Sequence, residues 1–387
     1  MNSTKNRIES RIENLVCFKC GSKHHHQEIH TISKCCSRPL TASYHLDTLS
    51  KSILGDRPLN MWRYREMLPV IHDDHIISLG EGFTPILPLN KLSSKIGLNN
   101  LRIKDESVNP TGSFKARGLS MGVSKGKELG ITEFIIPTAG NAGGALSAYC
   151  AKGNLKATVI MPRHTADTLK EECSIYGANL ILVDGLIDSC GKLARQIAKE
   201  TGAFDISTMK EPYRLEGKKT MGYEIAEQSN WQLPDVIVYP AGGGTGLIGM
   251  WKAFKEMKAL GWIQGKLPRL VLVQTENCSP MKYLFDNGVL PEDYEPQPSA
   301  AFGLAVPYPF AADMMLASLF ESNGTAITVS EKEMDKGIEE VALSEGLLLS
   351  PEGAATYMGM KKLMEKDWIQ EQEEVLLVNT GSWYKYR

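Results

Sequence analysis

The sequence predicts an α/β fold of two doubly wound α/β domains, preceded by a small cysteine-containing N-terminal extension. Three observations carry that expectation. Short β-branched runs recur along the 387 residues, helical patterns separate them, and the residues that close the runs are rich in Gly, Thr, Ser and Asn. A chain this long exceeds the size at which single cores stop growing, so at least two domains are expected.

The candidate strands are "LRIKDE" at 101, "EFIIPTA" at 133, "KATVIMP" at 156 and "NLILVDG" at 179, followed by "DVIVYPAG" at 235, "RLVLVQTE" at 269, "AITVS" at 326 and "EVLLVNTG" at 374. Several are apolar on successive residues, which suits strands buried on both faces. Between them lie helical patterns such as "NAGGALSAYCAKG", "TADTLKEECSIYGAN", "SCGKLARQIAKETG" and "EKEMDKGIEEVALSEG". Strand–helix alternation argues for mostly parallel sheets, and eight strands fit two sheets better than one. The expected organisation is a Cys-rich segment over 1–50, a larger domain from 51–118 and 216–387, and a smaller domain inserted at 119–215.

Composition narrows the class. A net charge of -2 gives no reason to expect nucleic acid or an anionic membrane, and no apolar run approaches the length of a membrane span. The opening "MNSTKNRIESRIENLV" is polar, without the apolar core of a signal peptide. Eight cysteines in such a chain point to reduced thiols, and so to the cytoplasm.

In doubly wound folds, ligands sit beyond the carboxyl ends of the strands. Here those ends read "NPTGSFK", "TAGNAGG", "PAGGGTG", "QTEN" and "NTGSW". Each brings backbone N–H groups or hydroxyls to one shared site. "AGGGTG" (241–246) joins a strand to the helical "LIGMWKAFKEM", and a helix N-terminus behind glycines favours a phosphate. A tight turn that binds nothing is the plainer reading. Gly244, Gly246 and Gly249 also spell the dinucleotide fingerprint, with Glu276 ending the next strand. An NAD-dependent oxidoreductase, however, leaves Lys115 unexplained, and no Walker lysine follows the glycines.

Lys115 is bracketed by glycines in "NPTGSFKARG" (109–118). Most lysines at a helix start are simply solvated. A deprotonated ε-amine, though, condenses with an aldehyde. Pyridoxal phosphate brings an aldehyde, a phosphate for the glycine loop and a ring that stabilises carbanions, so one ligand accounts for both features.

"NPTGSFKARG", "PTAGNAGG", "PAGGGTGLIGMWKAF", "SPEGAA" and "VNTGSWYK" occur in order behind "GEGFTP" (80–85). Together they resemble the fold-type-II pyridoxal phosphate enzymes, and among these most the threonine synthases. The resemblance implies that Lys115 forms a Schiff base with pyridoxal 5'-phosphate and then moves protons. It implies that Asn141 bonds the cofactor's phenolic oxygen, that amides of Gly242, Gly243, Gly244 and Thr245 hold its phosphate, and that Thr380 meets its pyridine nitrogen. Thr138 and Ala139 fall where a substrate carboxylate would meet a helix N-terminus. The implied reaction converts O-phosphohomoserine and water to threonine and phosphate, in a homodimer. Ser107, Asn109, Thr111, Lys104 and Arg117 are candidates for the substrate's own phosphate.

Plainer roles stand beside several of these. Asn141 would serve equally as a helix N-cap, Glu352 as a first-turn carboxylate, and Lys218 with Lys219 as a solvated helix face. Tyr213 and Arg214 point neither way. Three departures from the family pattern keep the substrate open: Ala116 where many relatives carry aspartate, Ala305 in "GLAVP", and the bulky Trp383 and Tyr384. A threonine or serine dehydratase, a related enzyme for another amino acid, and a catalytically idle relative remain alternatives.

"CFKC" (17–20) and "CC" (35–36) resemble the small zinc knuckle that some family members carry. Zinc takes four ligands in a tetrahedron. Cys17, Cys20 and Cys36 are the expected ligands, with a histidine from His24, His25, His26 or His30 filling in. The adjacent Cys35 and Cys36 are not expected to ligate together, and a metal-free turn is the plainer reading. Cys150, Cys173, Cys190 and Cys278 read as buried small residues.

Overall fold

The computed structural model describes residues 9–47, 49–185 and 187–386. Residues 1–8 of the polar opening stretch, and Arg387 of "GSWYKYR", lie outside the described residues. The chain opens with an antiparallel sheet of β1 (Ile12–Cys17), β2 (Lys23–His24) and β3 (Leu40–Tyr44), in the order β2-β1-β3. It continues through β4 (Ile86–Pro88) and β5 (Asn100–Asp105), then β6 (Glu133–Pro137), β7 (Lys156–Pro162), β8 (Asn179–Val183) and β9 (Phe204–Asp205). β10 (Val236–Pro240), β11 (Arg269–Thr275), β12 (Thr325–Val329) and β13 (Glu374–Asn379) follow. A six-stranded sheet runs β12-β11-β10-β13-β5-β4, and a four-stranded sheet runs β8-β7-β6-β9. All pairs in these two sheets are parallel except β4 with β5.

The eight strands expected from the apolar runs all form. Their continuity has a direct cause. Along β10, Ile237 and Tyr239 enter one core while Val236 and Val238 enter the core on the opposite face. β6 likewise sends Phe134 and Ile136 one way and Ile135 the other. Helices cover both faces of both sheets, so neither face is left polar.

The four-stranded sheet falls within 119–215 and the six-stranded sheet outside it. Helix Lys115–Glu128 belongs to both parts. It begins in the lysine motif, yet Ala116, Leu119 and Val123 pack in the core beneath the smaller sheet. Helix Tyr213–Gln228 lies against it and against helix Thr245–Ala259.

Helix Tyr213–Gln228 is buried from Tyr213 to Ala226 although five of its residues are charged. Two ion networks make that possible. In the first, Arg117 binds Glu106 at 2.6 Å and Glu224 at 2.5 Å, while Lys104 binds Glu224 at 2.9 Å; all four side chains are 0% exposed. Lys104 spends its remaining donors on the Thr84 carbonyl and Gln228. In the second, Glu216 binds Lys219, Lys252 and the Tyr44 hydroxyl, and Glu256 also binds Lys219. Lys218 and Lys219 are therefore not a solvated face. Both are buried, Lys219 between two carboxylates and Lys218 against Phe114.

Burial alone would raise the Glu224 carboxyl, but the Arg117 and Lys104 charges outweigh it and hold it at about 2. A carboxyl depressed from 4.5 contributes stability that is complete above 4.5 and is lost as pH falls toward about 2. Glu224→Ala leaves two buried cations short of a partner and is expected to cost ~3–5 kcal/mol. Denaturant unfolding at neutral pH measures that loss, and repeating it down to pH 3 should narrow the gap between variant and wild type.

Candidate active site

The carboxyl ends of both sheets face one cleft, and Lys115 stands at the first residue of its helix there. The preceding loop is stitched to the end of β13. The Phe114 N–H donates to the Thr380 carbonyl at 3.0 Å, and the Ser382 N–H donates to the Gly112 carbonyl at 2.8 Å. Within that loop Thr111 holds a left-handed φ of 59°, unusual for a β-branched residue. The Phe114 ring carries two amines, Lys115 Nζ at 4.1 Å from its centroid and Lys218 Nζ at 3.5 Å. Lys218 also donates to the Phe114 carbonyl at 2.7 Å, which fixes the peptide from which Lys115 departs.

Among the described residues Lys115 forms no hydrogen bond or ion pair. Burial and the neighbouring Arg214 guanidinium push its amine down to about 8, against the pull of Glu352. At neutral pH a usable fraction is therefore the free amine.

The glycine loop enters helix Thr245–Ala259. Amides of Gly242, Gly243, Gly244, Thr245 and Gly246 have no protein acceptor among the described residues. Gly244 takes φ 76°, and a Cβ there would meet Met315 Sδ at 2.2 Å; one on Gly242 would meet the Gly303 carbonyl at 2.2 Å. Only glycine lets this backbone close into a ring of outward amides. A second set lies at helix Ala142–Gly153, where the amides of Ala139, Asn141 and Ala142 are also unpaired. Thr138 Oγ1 braces this turn through the Gly140 backbone. Asn141 makes no side-chain cap, and its Oδ1 is buried without a partner. Its amide points into the cleft instead.

The expected substrate residues separate. Thr111 and Ser107 border the lysine loop, with Thr111 Oγ1 unpaired. Asn109 instead braces the "GEGFTP" turn, accepting from Gly82 N–H and donating to Glu106. Lys104 and Arg117 are consumed by the buried network, which leaves no donor for a substrate phosphate. Arg214 is the cation whose charge is felt at Lys115 instead. Its Nη1 binds the Ile206 carbonyl at 2.7 Å, its Nε is buried without a partner, and its charge reaches Lys115. No glycine or motif in the sequence distinguishes Arg214. Glu276, needed for a dinucleotide site, is exposed and pairs with Lys362 at 3.5 Å.

At the N-terminus, the sulfurs of Cys17, Cys20, Cys35 and Cys36 all lie within 4.8 Å of one another. The turn between β2 and β3 brings both adjacent thiols to this cluster, so that Cys35 stands with Cys17, Cys20 and Cys36 where a histidine was expected. The other four cysteines are buried and free.

A buried lysine amine with a lowered pKa, a run of unpaired amides in the glycine loop and an Asn141 Oδ1 without a partner fit pyridoxal phosphate and define the site of an enzyme that uses it. The family profile described as "Pyridoxal-phosphate dependent enzyme" matches residues 77–381. The threonine synthase of Methanocaldococcus jannaschii is 33% identical over 374 residues, 94% of this chain and 91% of the relative. That of Methanosarcina acetivorans is 32% identical, over 95% and 91%. Among solved structures, maize serine racemase superposes with a TM-score of 0.67 at 19% identity, covering 77% of this chain and 88% of that one. Threonine deaminase isoform 2 from Solanum lycopersicum gives 0.64 at 21%, over 77% and 83%, a likeness of fold. The chain belongs to the pyridoxal-phosphate dependent enzymes, and within them to the threonine synthase family.

Borohydride reduction in the presence of pyridoxal phosphate should attach one cofactor mass to the wild-type chain and none to Lys115→Ala, read by intact mass. The rate of adduct formation should climb as pH rises through about 8 and level off above it, since protonation below that value blocks the amine.

Proposed function

We propose that the chain is a lyase that converts O-phosphohomoserine and water to threonine and phosphate. The observation that carries this reading is a second cation beside Lys115, Arg214, whose Nε is buried without a partner. A dehydratase of threonine or serine has one phosphate to place, that of the cofactor; this substrate brings another. Its curated relatives bear the matching name.

In this reading Gly242, Gly243, Gly244 and Thr245 hold the cofactor phosphate through their amides, Asn141 its phenolic oxygen, and Thr380 its pyridine nitrogen. Bound there, pyridoxal phosphate supplies the aldehyde for Lys115 and a ring that takes up electrons from broken C–H bonds. The amides of Ala139, Asn141 and Ala142 bind the substrate carboxylate at the helix N-terminus. Arg214 binds the substrate phosphate, with Thr111 and Ser107 at its edge. Lys115 Nζ then removes the Cα proton and next a Cβ proton. Phosphate departs from Cγ, water adds its hydroxyl at Cβ, and protons return at Cγ and Cα. The resemblance carries with it a cytoplasmic homodimer, and the eight free cysteines agree with a reducing compartment.

Holoenzyme given O-phosphohomoserine, threonine and serine separately should release threonine and inorganic phosphate from the first alone. Ammonia and a 2-oxo acid from the other two would instead make it a dehydratase. Arg214→Met should raise the KM for O-phosphohomoserine at least tenfold, with the cofactor's visible absorbance retained.

We also propose that the four N-terminal thiols hold zinc. A tetrahedral zinc with bonds of about 2.3 Å sets its sulfurs about 3.8 Å apart, and Cys20 and Cys35 already stand at 3.4 Å. Metal analysis of protein purified without chelator should return about one zinc per chain, and Cys35→Ser should lose most of it.

A further inference from the structure

The C-terminal turn, Trp383–Tyr386, runs across the site rather than away from it. Its base is fixed, since Gly381 bridges to Ser113 and Ser382 to Leu349. Lys385 then reaches out in two directions, to Glu172 Oε2 at 2.5 Å and to the Thr111 carbonyl at 2.8 Å. One side chain thereby ties the lysine loop to helix Asp167–Ile175 of the smaller part, through an ion pair only 14% and 16% exposed.

Pinned in this way, Tyr386 is delivered into the cleft. Its ring stacks on Phe302 with centroids 5.6 Å apart and planes 10° from parallel. Its hydroxyl accepts from Asn141 Nδ2 at 3.4 Å, a long bond that a better acceptor would displace. The buried carboxylate of Glu352 lies on its other side, its Oε1 accepting from the Gly303 N–H at 2.8 Å. Burial, with Glu352 beside it, raises the phenol well above its ordinary range, so the group stays a neutral donor and acceptor. A phenol held between the Glu352 carboxylate and the Asn141 amide, the residue before the free backbone amide of Ala142, is placed to be touched by whatever binds there.

Resting on the reaction proposed above, we infer that Tyr386 is a specificity-determining residue of the substrate pocket, held in position by the Lys385–Glu172 pair. Its ring limits the depth available to the substrate side chain, and its hydroxyl rewards a polar one. Sites that hydrogen-bond their substrate discriminate more strongly than apolar ones.

The test is titration of holoenzyme absorbance, with O-phosphohomoserine read by rapid mixing in the binding phase before product forms, and with L-threonine and L-serine read at equilibrium. In Tyr386→Ala the affinity ratio of O-phosphohomoserine to L-threonine should change at least tenfold from wild type, with Tyr386→Phe between them. Lys385→Met and Glu172→Gln should shift that ratio in the same direction, and the double variant no further than either alone. An unchanged ratio in Tyr386→Ala overturns the inference. So does an equal fall for all three amino acids accompanied by a lower melting midpoint, the mark of a merely structural role. A wild type that responds to none of them overturns it as well. A wild type that binds O-phosphohomoserine yet makes no threonine defeats the proposed reaction alone, because the ratio is still measured.

Discussion

The geometry of the site depends on the buried contact of Arg117 with Glu106 and Glu224. Arg117 lies two residues beyond Lys115, Glu106 is the first residue after β5, and Glu224 belongs to helix Tyr213–Gln228. One guanidinium thus ties the reactive lysine's helix to the larger sheet and to the helix that carries Arg214 and Lys218. With no exposure at any of these groups, water offers no substitute for a lost partner, and the cost of separation falls on the fold itself. Precise placement of Lys115 is inherited from that constraint.

Around this anchor the cleft is arranged for anions. Unpaired amides of the glycine loop, those of Ala139, Asn141 and Ala142, and the Arg214 guanidinium make up this set. Glu352 is the negative group that opposes them near Lys115. Burial first, and the Arg214 charge after it, lower the Lys115 amine, and that same charge gives the cleft a preference for anions.

Much of this was legible in the residues. Continuous apolar runs marked β5 to β8 and β10 to β13 because each is covered on both faces. The short β4 and β9, three and two residues long, carry too little pattern to be read. The glycine loop and Lys115 announced themselves through residue types that only backbone approach or imine chemistry explains. Lys104, Lys218 and Lys219 did not, because a lysine's burial depends on carboxylates brought from distant segments, such as Glu224 and Glu256. Spacing alone also set Cys35 aside, whereas the turn after β2 decides where its thiol points. Arg214 and Tyr386 gain their meaning only from tertiary neighbours.

Helix Tyr213–Gln228 has a last consequence, for how the chain comes apart. Its sequence is too polar to be held by apolar packing alone, and Glu216, Lys219 and Glu224 find partners in Tyr44, Lys252, Glu256, Lys104 and Arg117. Those partners come from the N-terminal sheet, the lysine-motif helix, the strand before it and helix Thr245–Ala259. No subset can dock on this helix without stranding a dehydrated charge, so partial assemblies are poorly tolerated. The helix thereby joins the small sheet, the large sheet and the N-terminal extension into one cooperative unit, which gains and loses its structure together.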